Sequence, residues 1–192
     1  LEEAQRLDSF ISNILDMTRI ESGDVTFNYE WVNPADLIHR VSKRLRQRLK
    51  NHTLKVNPTT EPTEVQLDIM MTEQILQNVV DNAAKYAPAG TDIEVSLSVQ
   101  EEGFAYIIRD HGIGIPDEKL ESVFDKYERL KQTDSQVAGT GLGLAISKAV
   151  IEKQDGRISV RNHEEGGAEF TLWFPHSRKA TVPQKEHYAA WT

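Results

Sequence analysis

The sequence predicts an α+β protein, a two-layer α/β sandwich in which helices cover one face of a mixed, mostly antiparallel sheet. Apolar residues recur at helical spacing in four long segments and alternate with polar residues in several shorter ones. The two kinds of segment occur in mixed order, without the strict alternation of a doubly wound parallel sheet. Two pairs of strand-like segments are joined by short polar turns that contain glycine, which is typical of antiparallel hairpins.

Composition limits the class of protein. The chain has 192 residues, of which 39% are apolar, and this suits one α/β domain with an appendage. The net charge of −8 disfavours general binding to nucleic acid or to an acidic membrane, because both need a basic face. The sequence has no cysteine, which excludes disulfides, thiolate metal sites and cysteine nucleophiles.

The first segment predicts a long helix over residues 1–22, because apolar residues follow three- and four-residue spacing until Gly23. An isolated helix of this length is marginal in water. We therefore expect the apolar stripe over residues 7–20 to be poorly covered in this chain and to pair with another helix or a second copy. The chain begins inside this pattern without an initiator Met, so we expect it to be part of a longer protein.

The remaining segments predict three further long helices and seven strands. A proline at position 34 favours a helix start, and Pro88 ends the third helix. The predicted helices cover residues 34–50, 70–87 and 142–154, with a short helix within 111–127. The predicted strands cover residues 25–32, 52–57, 64–68, 92–100, 104–110, 156–162 and 168–175. Residues 128–139 are polar and poorly patterned, which predicts a mobile loop.

The third helix carries two asparagines four residues apart, Asn78 and Asn82, which share one face. Asparagine is unfavourable inside a helix, so a pair in register needs a reason. A single such residue would be interpreted as an exposed polar side chain. The pair favours a site for a hard cation, since Mg²⁺ prefers oxygen ligands and is held by few protein groups together with phosphates. Lys85 would then contact phosphate, and Tyr86 would pack against a base.

Two glycine-rich stretches follow that helix. In "RDHGIGIP", residues 109–116, the carboxylate of Asp110 at a strand end can accept a hydrogen bond from an exocyclic amine, and an ordinary Asp-Gly turn is the alternative. "SQVAGTGLGLAISKAV", residues 135–150, opens a helix, and its glycines permit either close packing or phosphate binding at the helix N-terminus. This stretch is neither a P-loop nor a dinucleotide-binding fingerprint.

Four motifs in fixed order then carry a resemblance to a known family. "NVVDNAAKY", "DHGIGIP", "VFDKYERL" and "GTGLGLAI" resemble the N, G1, F and G2 boxes of the catalytic, ATP-binding domain of sensor histidine kinases. That domain belongs to the Bergerat-type (GHKL) ATPases, with gyrase B and the heat-shock chaperone and mismatch-repair ATPases. The resemblance implies the Bergerat fold, with three helices on one face of the sheet. It also implies a dimerisation-hairpin helix at 1–23, a catalytic domain at 24–176 and a tail at 177–192.

The resemblance also implies a set of nucleotide-binding residues. Asn82 would be the principal Mg²⁺ ligand, assisted by Asn78, and Asp110 would bind the adenine amine. Lys126 and Arg129 would reach the γ-phosphate, and Thr171 would lie near the adenine. The implied set is Asn78, Asn82, Lys85, Tyr86, Asp110, Gly112, Gly114, Lys126, Tyr127, Arg129, Gly139, Thr140, Gly141, Leu142, Gly143, Leu144 and Thr171.

The function implied by the resemblance is that of a protein-histidine kinase with Mg²⁺ as cofactor and ATP as substrate. It would pass the γ-phosphate to a histidine on the dimerisation hairpin, for relay to an aspartate of a response regulator receiver domain. The six histidines of this chain match no phosphoacceptor motif, so we expect that histidine upstream. The resemblance further implies a homodimer formed through the hairpin, no nucleic-acid partner, and a cytoplasmic domain of a bacterial inner-membrane sensor.

Two other functions stay open on the sequence. The chaperone-like relatives hydrolyse ATP with a glutamate base one turn before the metal asparagine, and Asn78 at that position cannot act as a base. A nucleotide-binding regulatory or docking module, anti-sigma-like or a degenerate kinase, would keep the ATP site without histidine phosphorylation. Lys126 and Tyr127 depart from the arginine and phenylalanine that are more common in the family, and lysine lacks the bidentate fork of arginine.

Overall fold

The computed structural model describes residues 2–45, 49, 51–57, 64–128 and 141–176. Within these residues lie four α-helices, which are α1 (Glu2–Ser22), α2 (Pro34–Leu45), α3 (Ile69–Tyr86) and α4 (Gly143–Glu152). The seven strands there are β1 (Tyr29–Val32), β2 (Thr53–Asn57), β3 (Val65–Asp68), β4 (Asp92–Val99), β5 (Gly103–Arg109), β6 (Arg157–Asn162) and β7 (Ala168–Pro175). Two short 3₁₀ turns, Asp117–Lys119 and Ser122–Phe124, lie between β5 and α4.

Five strands form the main sheet in the order β2-β4-β5-β7-β6. β2 is parallel to β4, and the other neighbours are antiparallel, so the predicted mixed and mostly antiparallel sheet is confirmed. Both predicted hairpins are present, β4–β5 with Val99 opposite Phe104 and β6–β7 with Asn162 opposite Ala168. β5 lies between β4 and β7, at the centre of the sheet.

Helices α2, α3 and α4 pack against this sheet through a continuous apolar core. Helix α3 supplies the middle of the layer with Ile75, Leu76 and Val79, all of which are fully buried. Alternation along β7 buries Phe170, Leu172 and Phe174 in the core. The fully buried Tyr106 on β5 donates its hydroxyl to the Pro34 carbonyl oxygen at 2.9 Å, which joins the start of α2 to the central strand.

The structure shortens and redirects some predicted segments. The strand predicted over 25–32 is formed only at Tyr29–Val32, and it pairs with β3 in a separate two-stranded ribbon. The helix predicted over 142–154 covers Gly143–Glu152. Most of the predicted mobile loop, residues 129–139, and the predicted tail over 177–192 lie outside the described residues.

The C-terminal part of α1 packs on the domain, and its preceding turns keep an open apolar face. Ile20 is buried, and the Gln74 side-chain amide on α3 donates to the Asp16 carboxylate at 2.9 Å. Exposed apolar side chains on α1 are Leu7, Phe10, Ile11, Ile14 and Leu15. The stripe expected over residues 7–20 is thus poorly covered from Leu7 to Leu15, whereas Met17 packs against the core and Ile20 is buried. Among the described helices, none combines the length and apolar character needed to cross a lipid bilayer.

Candidate functional site

The face of α3 that carries Asn78 meets the first turn of α4. The Asn78 amide nitrogen donates to the Gly143 carbonyl oxygen at 3.2 Å and to the Ser147 hydroxyl at 3.3 Å. The Ser147 hydroxyl in turn donates to the same Gly143 carbonyl at 2.9 Å. Three groups thus form a closed triangle that holds the N-terminus of α4 beside α3. Both hydrogens of the Asn78 amide are directed at α4, so its Oδ1 atom is left as the acceptor.

Asn82, Lys85 and Tyr86 continue along α3 from Asn78, and all three are half-buried. The Asn82 side chain has no hydrogen-bond partner among the described residues. The amide oxygens of Asn78 and Asn82 thus accept no hydrogen bond from the described residues. Oxygen atoms of neutral amides suit Mg²⁺, which prefers oxygen ligands and takes further ones from phosphates and water. The donor set at this position fits magnesium.

Asp110, at the end of β5, is 4% exposed. Its Oδ1 atom accepts from the Gly112 amide at 2.8 Å and from the Ala168 amide at 3.1 Å, and its own amide donates to the Ala168 carbonyl at 3.0 Å. Its Oδ2 atom accepts no hydrogen bond from the described residues. One oxygen therefore fixes the carboxylate to the backbone, and the other can accept from a ligand.

Burial raises the pKa of Asp110 above its ordinary value, because removal from water disfavours the charged form. The hydrogen bonds from Gly112 and Ala168 oppose this effect on the pKa, as do the nearby charges of His111 and Arg109. His111 itself lies 3.0 Å from Glu94, measured from Nε2 to Oε1. A buried carboxylate with a raised pKa, one oxygen of which accepts no hydrogen bond from the described residues, is typical of a ligand-binding position.

Two glycines allow the backbone to close around Asp110. A Cβ atom on Gly112 would lie 2.8 Å from the Tyr86 carbonyl oxygen and 2.9 Å from Asp110 Oδ1. A Cβ atom on Gly167 would lie 1.9 Å from the Asp110 carbonyl oxygen, and Gly167 has a φ of +84°, in the left-handed region. Gly112 thus joins the Asp110 loop to the end of α3, and Gly167 lets the β6–β7 turn approach β5.

Asn162 holds the loop that follows Asp110, and the sequence interpretation missed it. Its side-chain oxygen accepts from the Ile115 amide at 2.8 Å, and its side-chain nitrogen donates to the Ile115 carbonyl at 2.7 Å. A Cβ atom on Gly114 would lie 2.7 Å from the Asn162 oxygen. The sequence predicts Asn162 only as the last residue of a strand. Its position beside the turn was the one available signal, and that signal does not identify its partner.

Lys126 and Tyr127 of the F box and Gly141 of the G2 box lie at the two ends of the described chain on either side of residues 129–140. The Tyr127 amide donates to the Gly141 carbonyl at 3.0 Å, which brings the two ends together. The Tyr127 ring is exposed. The Lys126 ammonium pairs with the Glu21 carboxylate in the last turn of α1. The lysine expected near the γ-phosphate therefore faces α1 in this structure.

The structure does not bring every expected residue together with Asn78 and Asp110. Thr171 pairs with Ile107 and Ser159, and its neighbours Phe170 and Leu172 point into the core, so Thr171 lies on the sheet face away from the helices. The sheet thus does not bring the Thr171 side chain together with Asn78 and Asn82 on α3, and its place near the adenine stays a prediction. Leu142 is buried and Leu144 packs against the core, so their side chains serve packing. Arg129, Gly139 and Thr140 lie outside the described residues.

The sequence is similar to those of known ATPases and sensor proteins. Residues 67–178 match the family described as histidine kinase-, DNA gyrase B- and HSP90-like ATPases. The sensor protein KdpD of Escherichia coli is 32% identical over 178 residues, which is 93% of this chain and 19% of that protein. The sensor histidine kinase WalK of Bacillus subtilis is 31% identical over 181 residues, which is 92% of this chain and 30% of that protein.

Among solved structures, the Acinetobacter baumannii histidine kinase AdeS superposes with a TM-score of 0.77 at 25% identity, over 93% of this chain and 82% of that one. The likeness includes the mixed sheet and the helices that cover it. Against the curated relatives the coverage is smaller, since this chain spans less than one third of KdpD and of WalK.

Proposed function

This chain belongs to the family of histidine kinase-, DNA gyrase B- and HSP90-like ATPases and is an ATP-binding catalytic domain of the two-component histidine kinase type, and we propose that its cleft along α3 binds ATP with Mg²⁺ and directs the γ-phosphate to a histidine outside this chain. The proposal concerns the residues that carry the binding and the reaction of the longer protein.

The observation that carries the proposal is the arrangement along α3. Asn78 contacts the N-terminus of α4 at one end, and Tyr86 contacts the Asp110 loop at the other. Eight residues of helix separate the two, which is about 12 Å at 1.5 Å per residue. A nucleotide lying along α3 can therefore have its base at Asp110 and its phosphates at α4.

At the base end, the free Oδ2 atom of Asp110 would accept a hydrogen bond from the adenine amine. The Oδ1 atom is held by the Gly112 and Ala168 amides, so the carboxylate cannot rotate to serve another donor without losing them. A guanine presents a carbonyl oxygen where adenine presents its amine, and a carboxylate repels that oxygen. Asp110 thus supplies the preference for ATP over GTP.

At the phosphate end, the first turn of α4 supplies amide hydrogens without intrahelical partners, and these attract anions. Asn78 and Asn82 would hold Mg²⁺ through their amide oxygens, and the ion would neutralise charge on the phosphates. Lys85, in the last turn of α3, adds positive charge on the same helix. These groups position the triphosphate and exclude other orientations of the γ-phosphate.

Neither Asn78 nor Asn82 can remove a proton from water, so the two residues proposed to hold Mg²⁺ do not themselves supply a general base for hydrolysis. The γ-phosphate is accordingly kept for an external nucleophile. We propose that this nucleophile is a histidine imidazole on a dimerisation hairpin whose second helix ends with α1. The phosphorylated histidine would then serve an aspartate of a response regulator, within a homodimeric sensor of the bacterial inner membrane.

The binding step is tested with Asn82→Ala, because Asn82 has no described hydrogen bond whose loss would disturb the fold. Gln77→Ala is the matched control, because Gln77 lies on the same helix and is also half-buried. Titration with a non-hydrolysable ATP analogue in Mg²⁺ should show at least about tenfold weaker binding for Asn82→Ala, as for the loss of a charge-assisted contact. Gln77→Ala should bind like the native chain. Equal affinity in both variants would contradict the proposed metal site.

The transfer step is tested by mixing the chain with a hairpin that carries the histidine, in the presence of γ-labelled ATP and Mg²⁺. An acid-labile, base-stable label on the hairpin, lost with Asn82→Ala, is the expected result. Tight ATP binding without any label would instead favour a regulatory module that uses ATP as a switch.

A further inference from the structure

Ser147 is a buried hydroxyl that neither the sequence motifs nor the proposed roles use. It lies in the second turn of α4 and is completely inaccessible to solvent. Its hydroxyl donates to the Gly143 carbonyl at 2.9 Å and accepts from the Asn78 amide nitrogen at 3.3 Å. A serine that only satisfied itself within its helix would need the first of these bonds alone. The second bond reaches a different helix and a residue of the candidate site.

We propose that Ser147 is a positioning residue that fixes the orientation of the Asn78 amide and so presents Asn78 Oδ1 to the Mg²⁺–triphosphate. This inference rests on the proposed function. An asparagine amide has a donor end and an acceptor end that differ little in shape, so a partner must determine which end faces the ligand. The Gly143 carbonyl and the Ser147 hydroxyl both take the donor end, on the α4 side.

The two acceptors are not equivalent in this role. The Gly143 carbonyl contacts Asn78 at 3.2 Å and already accepts the Ser147 hydroxyl. Without Ser147, one hydrogen of the Asn78 amide would lose its acceptor in a part-buried position. The amide would then be free to rotate and to direct its NH₂ group at Mg²⁺. The hydrogens of that group carry partial positive charge, so the cation would repel them. Buried hydrogen-bond networks are specific only when each member is satisfied.

The inference is tested by the Mg²⁺ dependence of nucleotide binding in Ser147→Ala, measured with a fluorescent ADP analogue. The variant should require about three- to tenfold more Mg²⁺ for half-maximal binding, as for one lost hydrogen bond. Binding of the same nucleotide in the presence of a chelator should change little. Ser147→Thr, which keeps the hydroxyl, should recover most of the native Mg²⁺ dependence.

A double-mutant cycle with Asn78→Ala separates positioning from packing. If Ser147 acts through Asn78, Ser147→Ala should add no further loss in the Asn78→Ala background. Additive losses, or an equal loss with and without Mg²⁺, would overturn the inference and leave Ser147 as a structural hydroxyl. Thermal melts of each variant monitor folding, and Ser147→Cys replaces Ser147→Ala if the latter unfolds.

The geometry can be tested without nucleotide. In ¹⁵N spectra the Asn78 side-chain amide should show two resolved signals with slow hydrogen exchange, and Ser147→Ala should accelerate that exchange. Unchanged exchange would overturn the inference whatever the chain binds. A native chain that binds no nucleotide at all, but shows the protected amide, would contradict the proposed function instead.

Discussion

Asp110 shows at the scale of a single residue how the fold prepares a binding atom. One carboxylate oxygen accepts two backbone amides, from Gly112 and Ala168, and the other accepts none from the described residues. The residue is thus both a structural link between β5 and β7 and a candidate acceptor for the adenine amine. These two functions can be separated by changing the chemistry of Oδ2 while keeping Oδ1.

Asp110→Asn makes this separation. The amide oxygen can still accept from Gly112 and Ala168, but an NH₂ group replaces Oδ2 and opposes the adenine amine. We expect affinity for an ATP analogue to fall about ten- to a hundredfold, as for a lost hydrogen bond to a charged group. The thermal midpoint should not fall, because the buried charge is removed. Asp125→Asn, on the exposed surface, is the control, and a similar loss of affinity there would contradict the assignment.

The raised pKa of Asp110 predicts a pH dependence whose sign follows from the two states of the carboxyl. Nucleotide binding needs the ionised form, so affinity should decrease as the pH falls through the pKa of Asp110, beginning at a higher pH than an ordinary aspartate would give. Because the folded-state pKa is raised, protonation of Asp110 favours the folded state relative to the unfolded one. Acid unfolding therefore cannot originate at this residue.

The measurement is a titration of affinity against pH for the native chain and for Asp110→Asn. Ionisation of the nucleotide phosphates contributes equally to both, so the difference between the two curves belongs to Asp110. If the native chain and Asp110→Asn show the same change of affinity with pH, the prediction is refuted. Circular dichroism at each pH shows whether the chain remains folded.

At the scale of elements, the turn between β6 and β7 connects the sheet to the site. Gly166 and Gly167 both have positive φ, of +91° and +84°. A Cβ atom on Gly166 would meet no atom within 4 Å, and one on Gly167 would meet the Asp110 carbonyl oxygen. Substitutions at the two glycines therefore distinguish two losses of stability. One comes from the left-handed backbone alone, and the other comes from a steric clash with the strand that carries Asp110.

Gly166→Ala should lower the free energy of unfolding by about 1–2 kcal/mol, the usual cost of a left-handed conformation for a non-glycine residue. Gly167→Ala should lower it clearly further and should also weaken nucleotide binding, because the turn must move away from Asp110. Chemical denaturation of both variants measures the difference. Equal effects of the two substitutions would show that the turn relaxes without disturbing β5.

The sequence predicted the elements whose signals are local. Alternation and short turns identified both hairpins, and helical spacing identified α3 and α4 to within a few residues. Pairings between distant segments were not predictable: the β1–β3 ribbon and the parallel β2–β4 pair depend on tertiary packing. For the same reason Asn162 was missed, since its partner Ile115 is 47 residues away. The outward-facing position of Thr171, by contrast, was readable from its alternation with the apolar Phe170 and Leu172 along β7.

At the scale of the whole molecule, α1 carries an exposed apolar surface that lies ahead of its contact with the domain. Its C-terminal part contacts α3 and the Lys126 ammonium, and the five exposed apolar residues lie ahead of that contact. An apolar stripe of this length on a helix favours pairing with another helix. We therefore expect concentration-dependent self-association of the chain through α1.

Sedimentation velocity over a range of concentrations tests this expectation. Ile11→Gln, within the stripe, should shift the equilibrium toward the monomer. Met70→Gln, on a side chain that is more exposed but lies on α3, should leave it unchanged. A chain that stays monomeric at all concentrations, or that responds equally to both substitutions, would contradict α1 as the contact surface.

The central position of β5 has a consequence for biosynthesis. β5 pairs with β4, which precedes it, and with β7, which is among the last described segments of the chain. While the ribosome is still making the β6–β7 hairpin, one edge of β5 has no neighbour, and Asp110 lacks the amide of Ala168. The surroundings of Asp110 are thus completed only when the C-terminal hairpin has been released and has docked. Nascent chains shorter than this would present an open strand edge, which is a surface that chaperones protect from aggregation.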